Sequence, residues 1–477
     1  MKPPNHTLKQ AAVVLNDCSL KKEHSQYPYT DKLSANVIIV ESNIKWCVIS
    51  VDITELDTYK TMVVRKKVAD MLSCDYKNVW ITFTHTHSSW FGNSCLDFDR
   101  FTQAILNAVS NAINSHAQQI DGIALLSIDT GNKYAVNRRT FVENIGAFSI
   151  YQCRHCKNNE TGIDATEAVK EEFKSMGVDE EHLRQISNVY LNGKVEGMLQ
   201  LLLFGFNNVP VAGIVRFNAH PVIVSASFYK PHFSRDYCGV LVDNLRQMWK
   251  CPILFMQGPA GNQRPAHTEN TIEQCHNFAD NMAEELNPKR FNLQFKSFTG
   301  MFLAAEFVRC NLLDYVKWDQ QKRDTQIEVL KQQSQTVSFG QDYLKSKKKY
   351  HDQIVALQSV STNLTEFGYV SEYDILRGYK NIEISALKIG SITLLTANNE
   401  LTNFFSLRLY EQFGATNCMV TAYTNGCDGY VLEADDFALG GYEQSASVLE
   451  PESSELIIKT ACDLICRSPD VCKYEQS

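Results

Sequence analysis

The stretch NVWITFTHTHSSW, residues 78–90, runs apolar and then offers two histidines, His85 and His87. In an extended chain Ile81, Phe83, His85 and His87 share one face, and Trp80, Thr82, Thr84 and Thr86 share the other. Imidazole suits zinc and carries protons near neutral pH, but beside a core it also serves as an ordinary hydrogen-bonding group. Other apolar runs end in the same manner: Asp52 follows KWCVISV, His220 follows AGIVRFNA and Glu400 follows SITLLTANN. A rigid sheet aims the residues at its strand ends. Two or three nitrogen donors plus a carboxylate make up a catalytic zinc site, which leaves one position for water or substrate. The structural alternative is that each residue caps its own strand.

Positioning these groups requires a sheet framework. Short apolar runs recur along the chain: VIIVES, KWCVISVDIT, VWITFTHTH, GIALLSID, GMLQLLLFGF, AGIVRFNAHP, PILFMQG, IEISALKIG, SITLLTANNE and CMVTAYTNG. Helical periodicity falls between them, over residues 56–73, 98–116, 238–249, 271–287, 401–413 and 453–467. The pattern is that of a mixed α/β protein. From Leu312 to Leu364 the composition turns to Lys, Gln, Asp and Glu, as in KWDQQKRDTQIEVLKQQSQ, and reads as a pair of exposed helices inserted into the framework. Decoration or a homo-oligomer contact is the expected use of that pair, ahead of a lid.

The chain has 477 residues, 44% hydrophobic and 21% charged, an ordinary globular composition that excludes general disorder. A net charge of -8 without a long Lys/Arg stripe argues against nucleic acid as a partner. The basic cluster KSKKKY, residues 345–350, reads as a solvated helix face, with phosphate or anionic-lipid binding as the sharper alternative. The opening MKPPNHTLKQ lacks the features of a secretion signal, and no apolar run reaches the roughly 20 residues that span a bilayer. A cytoplasmic setting without a membrane span is expected. Fifteen cysteines, an odd number, fit reduced thiols better than a disulfide framework. Cys153, His155 and Cys156 form a lone CRHC with no second pair at zinc-ribbon spacing, so a surface turn is expected there.

Taken in chain order, FTHTHSS, RFNAHPVIV, SRDYCG, FMQGPAGNQRP, NNELTNFFSLRL and TNGCDGYV with GGYE resemble the neutral ceramidase family. The likeness is to its short bacterial members, which consist of the N-terminal catalytic domain alone. It runs from about residue 35 to about 470, and 312–364 finds no counterpart in it. The resemblance implies an α/β, mixed-sheet ceramidase-like catalytic domain over residues 1–477, with 312–364 as a charged helical insertion. It also implies one zinc ion, with His85, His220, Glu400 and Tyr430 as ligands. His87 would then stand near the reacting carbonyl, and Arg138 of VNRRT would bind a substrate oxygen or carboxylate. Asp52 and Asp236 fall in matching motifs; each would either orient a liganding imidazole from behind or cap a turn or helix.

The departures bear on the substrate. Where the family carries a GD-x-SP motif with a serine needed for turnover, this chain reads Gly261, Asn262, Gln263, Arg264, Pro265. Asn262 replaces the aspartate and Arg264 the serine, and Arg264 hints at an anionic substrate. THTH is followed by Ser88, Ser89 and Trp90 instead of Ser-Gly-Pro, and a bulky Trp90 would narrow a groove meant for a long acyl chain. The expected activity is zinc-dependent hydrolysis of an amide-type C–N bond in a small or medium molecule other than ceramide. The same carbonyl activation would serve a cyclase, isomerase or ring-opening enzyme, and a non-catalytic binding or assembly role is the reading from another class.

Overall fold

The structure is a computed structural model that describes residues 6–15, 30–89, 96–151, 157–159, 162–224, 233–266, 269–340, 342–365 and 367–467. His6–Val14 (β1), Ser34–Glu41 (β2), Lys45–Val51 (β3), Val79–Phe83 (β4) and Gln118–Ile120 (β5) form one sheet in the order β4-β3-β2-β1-β5. Gly122–Asp129 (β6), Met198–Phe206 (β7), Val209–Phe217 (β8), Ile253–Gln257 (β9) and Lys296–Ser297 (β10) form another, ordered β9-β8-β7-β6-β10. A third joins Met301–Asn311 (β11), Tyr379–Ile389 (β12), Ile392–Ala397 (β13) and, beyond the two-residue strand Glu400–Leu401 (β14), Cys418–Thr421 (β15), ordered β11-β12-β13-β15. Tyr430–Val431 (β16) pairs with β14 in parallel.

Strand after strand is apolar on both faces because both faces are buried. In β3 and β4, Trp46, Val48 and Trp80 point into a core that also takes Leu202 and Phe204 of β7, Leu254 of β9 and Leu387 and Leu394 of the third sheet. The alternate residues Cys47, Ile49, Val51, Ile81 and Phe83 point into a second core under the helices. β7 divides likewise, with Leu199, Leu201 and Leu203 facing a third cluster. The three sheets therefore surround one apolar centre, and helices cover their outer faces.

Those helices are Thr58–Leu72 (α1), Phe98–Asn114 (α2), Asp236–Trp249 (α3), Ile272–Leu286 (α4), Gln320–Gln335 (α5), Tyr343–Thr365 (α6), Phe404–Phe413 (α7), the single turn Tyr442–Ser445 (α8) and Ser453–Arg467 (α9). Carboxylate or hydroxyl N-caps start several of them, such as Asp57 accepting from the Lys60 amide and Asp97 from that of Arg100. α1 and α2 lie on the first sheet, α3 and α4 on the second, and α9 on β11 and β12. No helix among the described residues is long and apolar enough to cross a membrane. The described cysteines are free thiols; Cys153, His155 and Cys156 of CRHC lie outside the described residues.

Each sheet holds one parallel pair, β3 with β4, β8 with β9 and β13 with β15. Asp52, His85, His220 and Glu400 all follow the C-terminal ends of strands in these pairs. Two expectations need correction. The strand that delivers the histidines stops at Phe83, and His85 adopts a left-handed backbone with φ 63°, so strict alternation does not extend to His87. The basic cluster is a solvated face only in part: Lys345 and Lys349 are exposed, but Lys347 and Lys348 are buried, Lys348 against both carboxylate oxygens of Asp352 at 2.6 Å. A charge that leaves water needs such a partner.

Candidate metal centre and active site

His85, His87 and His220 come together with ring nitrogens within 4.8 Å of one another. His85 leaves β4 through its left-handed residue, a conformation that costs on the order of 1–3 kcal/mol outside glycine and that persists only where the surroundings impose it. Its Nδ1 donates to the Thr54 carbonyl at 2.8 Å, in the loop after β3. His220 follows β8, and its Nδ1 donates to the Gln263 carbonyl at 2.9 Å. Each Nδ1 therefore carries the proton, and in a neutral ring Nε2 presents a lone pair.

The His220 lone pair meets the Glu400 carboxylate, and that of His85 lies between Glu400 and His87 Nε2, the latter 3.4 Å away. His220 Nε2 stands 2.8 Å from Glu400 Oε1, and His85 Nε2 stands 3.5 Å from it. His220 Nε2 and Glu400 Oε1 are buried without a hydrogen-bond partner. Lone pairs facing one another in a dry site repel unless a proton or a metal cation lies between them. Glu400 also sits opposite Tyr430 in the parallel β14–β16 ladder, so one register places both side chains. The donor set of two imidazoles, a carboxylate and a phenol oxygen fits a zinc ion, with His87 as a further nitrogen at its edge.

The electrostatics follow from this crowding. Burial and the neighbouring charges of His85 and His220 hold His87 well below the usual histidine range. Burial and the Arg138 charge push His220 down to about 4. Burial opposes charge on His85, but the Glu400 carboxylate outweighs it and raises the ring. Glu400 is held well below the carboxylate range despite its burial, because His85 and His220 favour its anion. Burial, with Glu400 adding to it, lifts the Tyr430 phenol well above its ordinary value. The Glu400 carboxylate thus favours positive charge beside it, which is what a dication would supply.

Arg138 lies next to the cluster, almost wholly buried. Its Nη2 donates to Tyr430 Oη at 3.1 Å and to the Gly261 carbonyl at 2.7 Å, and its Nε donates to Glu443 Oε1 at 2.7 Å. The guanidinium lies 4.8 Å from the centre of the Tyr151 ring and 5.8 Å from that of Tyr442. Both tyrosines expose their outer surfaces, and Arg138 lies beneath them.

The remaining described candidates are bonded to residues around the site. Asn262 exchanges hydrogen bonds with Asn403, accepting from its backbone N–H and donating to its side-chain oxygen, both at 2.8 Å. Arg264 is buried, with Nε donating to the Ile150 carbonyl and Nη1 to that of Pro265, each at 3.2 Å. Asp52 accepts from the amide and hydroxyl of Ser34, and Asp236 from the amides of Val224 and Tyr237. Burial pushes each of these aspartates up to about 6. The imidazoles are instead oriented by the carbonyls of Thr54 and Gln263. Trp90 lies outside the described residues.

Several site residues escaped the sequence reading. Glu55, three residues beyond Asp52, approaches Glu400 and Cys427 within 4.8 Å and accepts from the Tyr369 hydroxyl at 2.7 Å. Burial lifts it to about 7, against the pull of His85. The strand-end rule that picked Asp52 would have reached Glu55 had it been carried one turn further; Tyr369 has no comparable signal. Asn425 exchanges hydrogen bonds with Ile81 of β4, donating to its carbonyl at 2.6 Å and accepting from its amide at 3.0 Å. The TNGCDGYV loop that brings Tyr430 is thereby tied to the strand that brings His85.

No protein-family model and no curated protein sequence matches the chain. Among solved structures it is similar to a neutral ceramidase from Pseudomonas aeruginosa, with TM-score 0.61 and 13% identity over 98% of this chain and 76% of that one. A ceramidase complexed with C2 is similar over the same shares, with TM-score 0.59 and 13% identity. The chain has a neutral-ceramidase-like fold, a mixed α/β architecture.

Proposed function

We propose that this protein is a zinc-dependent hydrolase of an amide-type C–N bond in a small or medium molecule other than ceramide. The observation that carries the reading is the convergence of the His85 and His220 lone pairs on an unpartnered, buried Glu400 oxygen, within a ceramidase-like fold. His85, His220, Glu400 and Tyr430 would hold one zinc ion. When bound, zinc polarises a scissile carbonyl and brings the pKa of water toward 7.

The chain supplies the rest. The Thr54 and Gln263 carbonyls keep the two imidazoles turned inward, as partners behind a ligand do in metal sites. His87 is the most exposed of the three histidines, so an entering substrate meets it first. Kept neutral by its surroundings, it would donate a hydrogen bond from its ring N–H to the tetrahedral intermediate or the departing amine nitrogen. Arg138, gripped by Glu443 and the Gly261 carbonyl, presents a fixed positive charge beside Tyr430 where the carbonyl oxygen gains charge. Arg264 is proposed to favour an anionic substrate. In heavy-oxygen water, a panel of acyl amides should yield carboxylate products carrying the label. Turnover without label would assign the site to cyclisation, isomerisation or ring opening.

A further inference from the structure

α8 is a single turn of four residues, far below the roughly 12–15 at which a helix becomes marginally stable alone. Yet it carries Glu443, the counter-ion of Arg138, and Tyr442, whose ring centre lies 5.6 Å from that of Tyr430. It is entered through Gly440 and Gly441, with φ of 77° and 94° that side chains other than glycine rarely adopt. Something outside this turn must fix it.

On one side Arg139 does so, donating to the carbonyls of Asp436 and Gly440 at 2.8 and 2.9 Å and to Glu443 Oε2 at 2.9 Å. On the other side stands α6. Asp352 Oδ2 accepts from the Gly441 amide at 3.4 Å, and Asn363 donates to the Ala446 carbonyl at 3.5 Å. The first approach is close enough that a Cβ on Gly440 would lie 2.2 Å from the Asp352 oxygen. Asp352 is held in turn by buried Lys348, whose ammonium lies 4.8 Å from the centre of the Phe148 ring. The next residue, Ser149, donates to Glu443 Oε2 at 2.6 Å, which closes the circuit. The far side of α6 packs Leu357 against Ile327 and Leu330 of α5, and Val360 reaches the main core.

We infer that the α5–α6 hairpin is a positioning element of the active site: α6 splints α8 at both ends, with Asp352 as the positioning residue that keeps Glu443 against Arg138. This rests on Arg138 belonging to the site, as proposed above. It gives the charged helices between 312 and 364 a task other than decoration.

Hydrogen–deuterium exchange on the full chain tests it, comparing wild type with Asp352→Ala and with the double variant Lys348→Met/Asp352→Asn. Asp352→Ala should speed exchange across residues 439–446 about tenfold, the ratio expected for one lost hydrogen bond, while β9 stays protected. The double variant keeps an acceptor oxygen for Gly441 and removes both charges of the buried pair, so it should restore wild-type protection. Unchanged exchange at 439–446 in Asp352→Ala, a rise of equal size throughout the chain, or no rescue would overturn the inference. If Asp352→Ala does not fold, Asn363→Ala takes its place with the same local rise expected and the same result counting against. Zinc should stay at wild-type content in all variants. A wild type without zinc would remove the hydrolase reading and leave the exchange result to decide this one.

Discussion

Glu443→Gln is the most informative single substitution outside the proposed metal ligands. The carboxylate is fully buried and takes Arg138 Nε at 2.7 Å, Arg139 Nη1 at 2.9 Å and Ser149 Oγ at 2.6 Å. Removing one partner of a buried charge network leaves the others uncompensated, which costs about 3–5 kcal/mol. The titration gives a second route to the number. Burial works against the carboxylate's charge, but Arg138 and Arg139 outweigh it and bring the pKa from 4.5 to about 2. At roughly 1.4 kcal/mol per pKa unit that depression is worth about 3 kcal/mol at neutral pH. Because the folded-state value is the lower one, this stability is fully present above 4.5 and is lost as pH falls toward 2. Urea unfolding of wild type and Glu443→Gln should therefore differ by about 3 kcal/mol at pH 7, and by roughly 1 kcal/mol less near pH 3.5. A gap below about 1 kcal/mol at pH 7, or a gap that does not shrink with acid, would refute the claim that Glu443 is the anion of this network.

Other substitutions separate the roles within the site. His87→Ala should retain zinc and lose about 100-fold in kcat, measured on the amide found in the screen, because it removes a hydrogen-bond donor to the reacting groups and no ligand; loss of zinc would make His87 a ligand. Tyr430→Phe should weaken zinc binding about 10- to 100-fold in a chelator competition, and copper(II)-loaded protein should lose its tyrosinate charge-transfer band; unchanged affinity would leave Tyr430 only as the partner of Arg138. Arg264→Ser should raise KM for an anionic amide with little change in kcat. A lower urea midpoint at unchanged KM would confine Arg264 to its bonds with the carbonyls of Ile150 and Pro265.

The strands were legible because both faces of each are buried: GMLQLLLFGF reads as one apolar run, and its alternate leucines fill two different cores. β11, at the edge of its sheet and partly exposed, lacks that signature and was not among the expected runs. His85, His220 and Glu400 were readable as residues that follow strands, since the ends of parallel pairs from three sheets converge. Glu55, Tyr369 and the α6–α8 contact were not, because they depend on loops and a hairpin whose packing no local period records. Lys348 misled for a related reason: a lysine in a charged run looks solvated until its carboxylate and its aromatic floor are known.

Elemental analysis of the purified protein beside His85→Ala and Glu400→Ala decides most directly whether the three convergent lone pairs hold a metal. About one zinc per chain in wild type, lost in both variants while each stays folded, is the expected result. No metal in wild type protein purified without chelator and then dialysed against zinc would contradict it.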